Sequence, residues 1–241
     1  MTSLFKFGET RSTGLFGVVG SSTQDETLRN IFNSGQYHDL TVVAKDGRDF
    51  KVHKNVVCTR SSYFAAAFRP GAFKEGATSR IELPESADIV HAILGHIYGL
   101  PESACLSKPS PNPRFGGVIE EDTKTSQLFC VVRIYFAADK YDLPKLKSLA
   151  KTAYEARLYE ASALDAMTVA ALVYDNTPEN DVGIRSETCR YVRLHLTSIM
   201  ADEPARTELL NNKGLLQDLL TRLGVCMQEY RNTTAKLSYM Q

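Results

Sequence analysis

The chain contains no tryptophan, no excess of either charge and no long apolar run. Its 28 basic residues balance 28 acidic ones, so the formal net charge is zero. A balanced surface lacks the basic excess that proteins use to neutralise phosphates, which argues against direct nucleic-acid binding. No stretch approaches the roughly 18 apolar residues of a membrane-spanning helix, so none is expected. The N-terminal stretch lacks a continuous apolar segment, so no secretory signal is expected. Cys58, Cys105, Cys130, Cys189 and Cys226 are odd in number, widely spaced and without a CxxC pair. That pattern argues against a disulfide frame and predicts reduced thiols in an intracellular chain of the cytoplasm or nucleus. Asn232-Thr233-Thr234 fits a glycosylation sequon, which such a chain would leave unused.

What is present is an ordinary globular composition, 43% hydrophobic and 23% charged over 241 residues. This length holds one large or two small domains. The richest stretch runs from His38 to Glu75. Leu40, Val42 and Ala44 alternate with Thr41, Val43 and Lys45, the two-residue period of a strand. Asp46-Gly47 is a turn pair, after which Phe50 and Val52 resume the alternation to complete a hairpin. Val56, Val57, Tyr63, Phe64, Ala67 and Phe68 then fall three or four apart, as on one buried helix face. Arg69-Pro70-Gly71 closes that helix.

Further signals divide the rest of the chain. Residues 1–24, rich in Gly, Ser and Thr, read as a flexible arm. Leu28, Ile31 and Phe32 share a helical face that Gly35 ends. Ile89, Ile93, Leu94 and Ile97 form the stripe of a helix over 86–98, stopped by Gly99 and Pro101. Residues 101–125 hold four prolines and a Gly pair, which predicts a long loop. The helix from Leu128 to Asp139 is apolar nearly all round and should be central. Asp142 is expected to cap the next helix, with Pro144 in its first turn. Helical patterning continues through Ala163–Tyr174. Thr177-Pro178-Glu179 reads as a helix start, and short helices follow around Leu209 and Leu215–Leu223. The tail from 227 to 241 is polar and expected to fray.

Several of these blocks occur in the order of a known family. Asp39-Leu40, Gly47, Val52-His53-Lys54, Arg60-Ser61-Ser62-Tyr63-Phe64 and Phe73-Lys74-Glu75 resemble the core of a BTB/POZ domain. Ile81-Glu82-Leu83-Pro84-Glu85 resembles that family's third strand. Ala138 to Pro144, with Leu146 and Leu149, resembles its last helical hairpin. The resemblance covers residues 25–158, with 101–125 as an insertion where many members have a short turn and a strand. It implies an α+β BTB/POZ fold, a small mixed sheet capped by helical hairpins. An all-helical, BACK-like extension then follows at 159–226. Some members exchange an N-terminal strand between subunits, and Leu15-Phe16-Gly17-Val18-Val19 has a strand's pattern.

The resemblance further implies a protein–protein interaction adaptor without cofactor, homodimeric or paired with another BTB protein. Leu28, Ile31, Phe32, Tyr63 and Phe64 would line the dimer interface, although Tyr63 and Phe64 fit an intrachain core equally well. Asp39 and Lys54 would form a buried, paired pocket near the dimer groove. A second surface, used by the family to recruit the cullin scaffold of a ubiquitin ligase, would include His96, Tyr98, Leu100, Leu128 and Tyr135. The alternative is a scaffold in a transcriptional or other regulatory complex that recruits no ligase.

Catalytic and metal readings are weaker. Cys58, His53 and Asp39 are the residue types of a thiol triad, but Cys58 sits on an apolar helix face without a Gly-rich elbow. His91 and His96 are five apart, off the helical face that a metal pair needs. Gly116-Gly117 lacks the spacing of a phosphate loop. The chain therefore reads as a binding module and not as an enzyme.

Overall fold

The computed structural model describes residues 24–69, 71, 78–106 and 124–238. Strand β1 (Leu40–Val43) and strand β2 (Asp49–Val52) form the expected hairpin, with Leu40 opposite Val52 and Val43 opposite Asp49. Gly47 turns the chain at φ 82°, a conformation that costs a residue without Cβ little. Strand β3 (Arg80–Glu82) adds to the free edge of β1 in parallel, giving a mixed sheet of order β2-β1-β3.

A parallel neighbour requires a crossover. Here it includes helices α2 (Lys54–Arg60) and α3 (Ser62–Ala67), where the sequence predicted one helix. The break falls at Ser61, which is extended at φ −140° and ψ 121°. Its hydroxyl donates to the Tyr141 carbonyl at 2.7 Å, a tertiary bond that the local periodicity does not reveal.

Helix α1 (Gln24–Ser34) precedes the sheet, and α4 (Ala87–Ile97) follows it. Ile89, Ile93, Leu94 and Ile97 of α4 are buried as patterned. The anticipated loop at 101–125 begins instead with a short helix, α5 (Glu102–Leu106), anchored by buried Cys105. The rest of that insertion, residues 107–123, lies outside the described residues, as does the Leu15–Val19 segment. Helices α6 (Lys124–Lys140) and α7 (Pro144–Leu158) form an extensively packed helical hairpin. Leu143, not Asp142, occupies the N-cap of α7. Asp142 instead takes a left-handed turn at φ 55° and accepts the Ser62 hydroxyl at 2.7 Å.

The extension comprises α8 (Ala163–Asn176), α9 (Ile184–Ala201), α10 (Glu203–Asn211) and α11 (Lys213–Ser238). Thr177 ends α8 and does not open a helix. Its hydroxyl bonds back to Val173 O at 2.6 Å, and α9 begins only at Ile184. The tail is likewise helical well past 227, since no Pro or Gly interrupts it after Gly224. One apolar core joins Val42 and Ile93 of the sheet unit with Val169 and Val192 of the extension. Gly183 makes this junction possible: a Cβ there would collide with the Tyr135 hydroxyl. That hydroxyl donates to the Asp181 carboxylate at 3.1 Å, and Lys147 approaches the same carboxylate at 3.6 Å. No helix among the described residues is long and apolar enough to cross a membrane.

Candidate interaction surfaces

The first surface is built on α1. Its amphipathic pattern packs Leu28, Ile31 and Phe32 against the core, where each is half-buried and keeps part of its side chain in solvent. Phe32 stacks on Tyr98 with ring centroids 4.8 Å apart. Arg29 Nε donates to Gly99 O at 2.6 Å, fixing the helix against the end of α4. Phe32 also approaches His91 at 5.9 Å, whose buried Nδ1 has no partner among the described residues. Burial, with Arg48 assisting, holds the His91 imidazole below its ordinary pKa.

Beneath α1 lies a closed polar circuit. His53 N–H donates to the Tyr98 hydroxyl at 2.7 Å, and that hydroxyl donates to His53 Nδ1 at 2.9 Å. Nε2–H in turn donates to Gln36 O at 2.7 Å, which fixes the tautomer. Burial pushes the Tyr98 phenol up to about 12. Both imidazole nitrogens are thus engaged and neither is available to activate Cys58. Burial also raises the Cys58 thiol, the reverse of an activated nucleophile.

Asp39 and Lys54 do meet, but not as a buried ion pair. Asp39 is exposed, and its Oδ1 accepts the backbone N–H of Lys54 at 2.7 Å, capping the start of α2. The Lys54 ammonium donates to Ser79 Oγ at 2.9 Å and lies 5.7 Å from the centre of the Phe68 ring. The helix start offers the carboxylate an oriented donor, and the lysine stem reaches a partner elsewhere. Phe64 is fully buried and stacks on Tyr141 at 5.7 Å, so it belongs to its own core and presents no surface. Tyr63 is half-buried and packs edge-on against Tyr141 at 4.7 Å.

The second set of expected contact residues divides in the same way. Tyr98, Leu128 and Tyr135 are buried and act as supports. His96 and Leu100 keep partial exposure. His96 lines a cleft of about 420 Å³ with Arg60, Ile97, Asp142 and Lys145. Burial, aided by Lys145 and Arg60, depresses the His96 pKa and so favours the neutral ring.

Tyr37 was not singled out from the sequence. It sits at φ 59° with 88% of its surface exposed, beside the end of α1. A bulky residue at positive φ is uncommon. Its local signal, the Gly35-Gln36-Tyr37 turn, is too short to read from periodicity.

Comparison with known proteins agrees with this architecture. A family model described as BTB/POZ domain matches residues 28–107. Inhibitor of Bruton tyrosine kinase from Xenopus laevis is 23% identical over 159 residues, covering 66% of this chain and 11% of that protein. Its Homo sapiens counterpart is 22% identical over 181 residues, covering 75% of this chain and 12% of that protein. BTB and MATH domain-containing protein 41 from Caenorhabditis elegans is 27% identical over 81 residues, covering 33% of this chain and 19% of that protein. The chain thus matches less than a fifth of the length of each of these relatives. The three-stranded mixed sheet and its helical surround thus agree with the BTB/POZ domain that the family model places at residues 28–107.

Proposed function

We propose that this chain is an interaction adaptor that self-associates through the α1 face of its BTB/POZ domain, spanning 25–158, and presents a second surface to a cullin scaffold. The observation that carries self-association is the apolar α1 face. Leu28, Ile31 and Phe32 are only half-covered by their own chain, and the almost fully exposed Tyr37 follows the end of α1. A two-fold contact needs such a self-complementary patch. A second copy could also supply a partner for His91 Nδ1, whose burial unpaired is costly.

The cullin reading rests on the cleft at His96, Arg60 and Lys145, together with the partial exposure of Leu100. The burial of Tyr98, Leu128 and Tyr135 leaves only two of the five expected contacts on the surface. That observation favours the second reading, a scaffold in a regulatory complex without ligase recruitment.

Light scattering on the full chain, at several concentrations and with a purified cullin N-terminal domain, tests both parts. A dimer that gains mass with the cullin supports the ligase adaptor. A dimer indifferent to it supports the scaffold. A strict monomer removes self-association. Leu28→Glu combined with Ile31→Glu should convert a dimer to a monomer while leaving the melting of the fold cooperative.

A further inference from the structure

A separate cleft of about 380 Å³ lies between the end of β1, the segment entering α4 and the second half of α6. It shares no lining residue with the α1 face or the His96 cleft. Its walls are fixed: Lys45 N–H donates to Glu85 O at 2.9 Å, and Glu85 pairs with Lys140 at 2.8 Å while accepting the Tyr141 hydroxyl. The first amide of α4, on Ala87, is already satisfied by Asp46 Oδ2 at 3.1 Å, and Ser86 makes no capping bond of its own.

This arrangement leaves particular groups uncommitted. The Lys45 ammonium, the Arg133 guanidinium and the Ser86 hydroxyl line the cleft with no side-chain partner among the described residues. Lys45, Arg133 and Lys140 stand against the single carboxylate of Glu85 in the lining, so the cleft carries a positive excess. The rest of the wall is apolar, with half-buried Phe136 beside Pro84 and Ala137.

We propose that this cleft docks an acidic, extended segment of a partner protein. A carboxylate of that segment sits between Lys45 and Arg133 and accepts the Ser86 hydroxyl. A neighbouring aliphatic or aromatic side chain covers Phe136 and Pro84. A small inorganic anion would satisfy the cations but leave the apolar wall wet, whereas a peptide with acidic and apolar residues side by side satisfies both. The site is independent of the self-association face, so its failure and that of the adaptor reading are separable.

The test pans a phage-displayed library of random dodecapeptides on the immobilised full chain. Enriched peptides should place Asp or Glu next to an aliphatic or aromatic residue. Their synthetic forms should bind the wild type and lose at least about tenfold in affinity to the Lys45→Glu, Arg133→Glu double variant. Binding should also weaken as added salt shortens the Debye length from about 10 Å to about 3 Å. Both exchanged residues are exposed, so an unchanged melting curve verifies the fold. The proposal is overturned if no peptide enriches, if the enriched peptides lack acids, or if the double variant binds them as well as the wild type does. A change in the oligomeric mass of the double variant would assign the cleft to a second copy and overturn it as well.

Discussion

Tyr98→Phe removes one oxygen and strands two partners. The hydroxyl accepts His53 N–H at 2.7 Å and donates to Nδ1 at 2.9 Å, within a residue that has no exposed surface. Nδ1 cannot exchange roles, because Nε2–H is held by Gln36 O at 2.7 Å. A buried polar group left unpaired costs about 1–3 kcal/mol, so two such groups place the loss near 3 kcal/mol after partial relaxation. For a chain of this size that corresponds to a fall in Tm of roughly 6–12 °C. Thermal melts followed by circular dichroism read it, and urea titration should show a lower midpoint with the slope unchanged.

The same variant has a signature in alkali. The folded chain holds the Tyr98 proton to about pH 12, while the unfolded phenol releases it near 10. Between those values the unfolded state binds fewer protons, so stability falls as pH rises. Tyr98→Phe should flatten that decline by about one proton. A Tm shift under about 2 °C, with the alkaline slope retained, would refute the buried circuit. Unchanged stability with lost cullin binding would return Tyr98 to the surface.

Three further outcomes follow from the geometry. Asp39→Ala should cost about 1 kcal/mol through the lost helix cap, and Lys54→Met should leave that cost intact; strong coupling in the double-mutant cycle by urea unfolding would restore the ion pair. Gly183→Ala should destabilise by about 2 kcal/mol, because the new methyl meets the Tyr135 hydroxyl, and Tyr135→Phe should relieve part of it; full additivity would contradict the close approach. Arg185, buried, donates to Thr177 Oγ1 and O at 2.9 Å and to Tyr174 O at 3.2 Å at the end of α8. Arg185→Met should lower stability by about 3 kcal/mol in urea unfolding, and a neutral result would mean that the helix-end carbonyls are satisfied without it.

The hairpin, the α4 stripe and the central α6 were legible in the sequence because local alternation and helical period express which side of an element meets the core. Phe73-Lys74-Glu75 helped carry the family resemblance, although Phe73 to Glu75 fall outside the described residues. The break at Ser61 was not legible, since its cause is a carbonyl at Tyr141, distant in sequence. Thr177-Pro178 mimics a helix start by composition, but its hydroxyl is used in ending α8 and holding Arg185. Residue types alone could not separate Phe64 from Tyr63, or Tyr98 from Leu100, because exposure within an amphipathic element depends on what packs on its flank.

The periods of the elements gave the hairpin and the helices, and the resemblance carried by the order of the motifs supplied the fold class and directed attention to protein partners. Only the tertiary structure decided which of the named side chains support a surface and which form it. It made Asp39 a helix cap, withdrew Phe64, Leu128 and Tyr135 into the core, and gathered Lys45, Ser86 and Arg133 from three segments into one cleft. The physical reason is that periodicity is a local property of the chain, whereas burial, pairing and convergent charge arise between elements that meet only after folding.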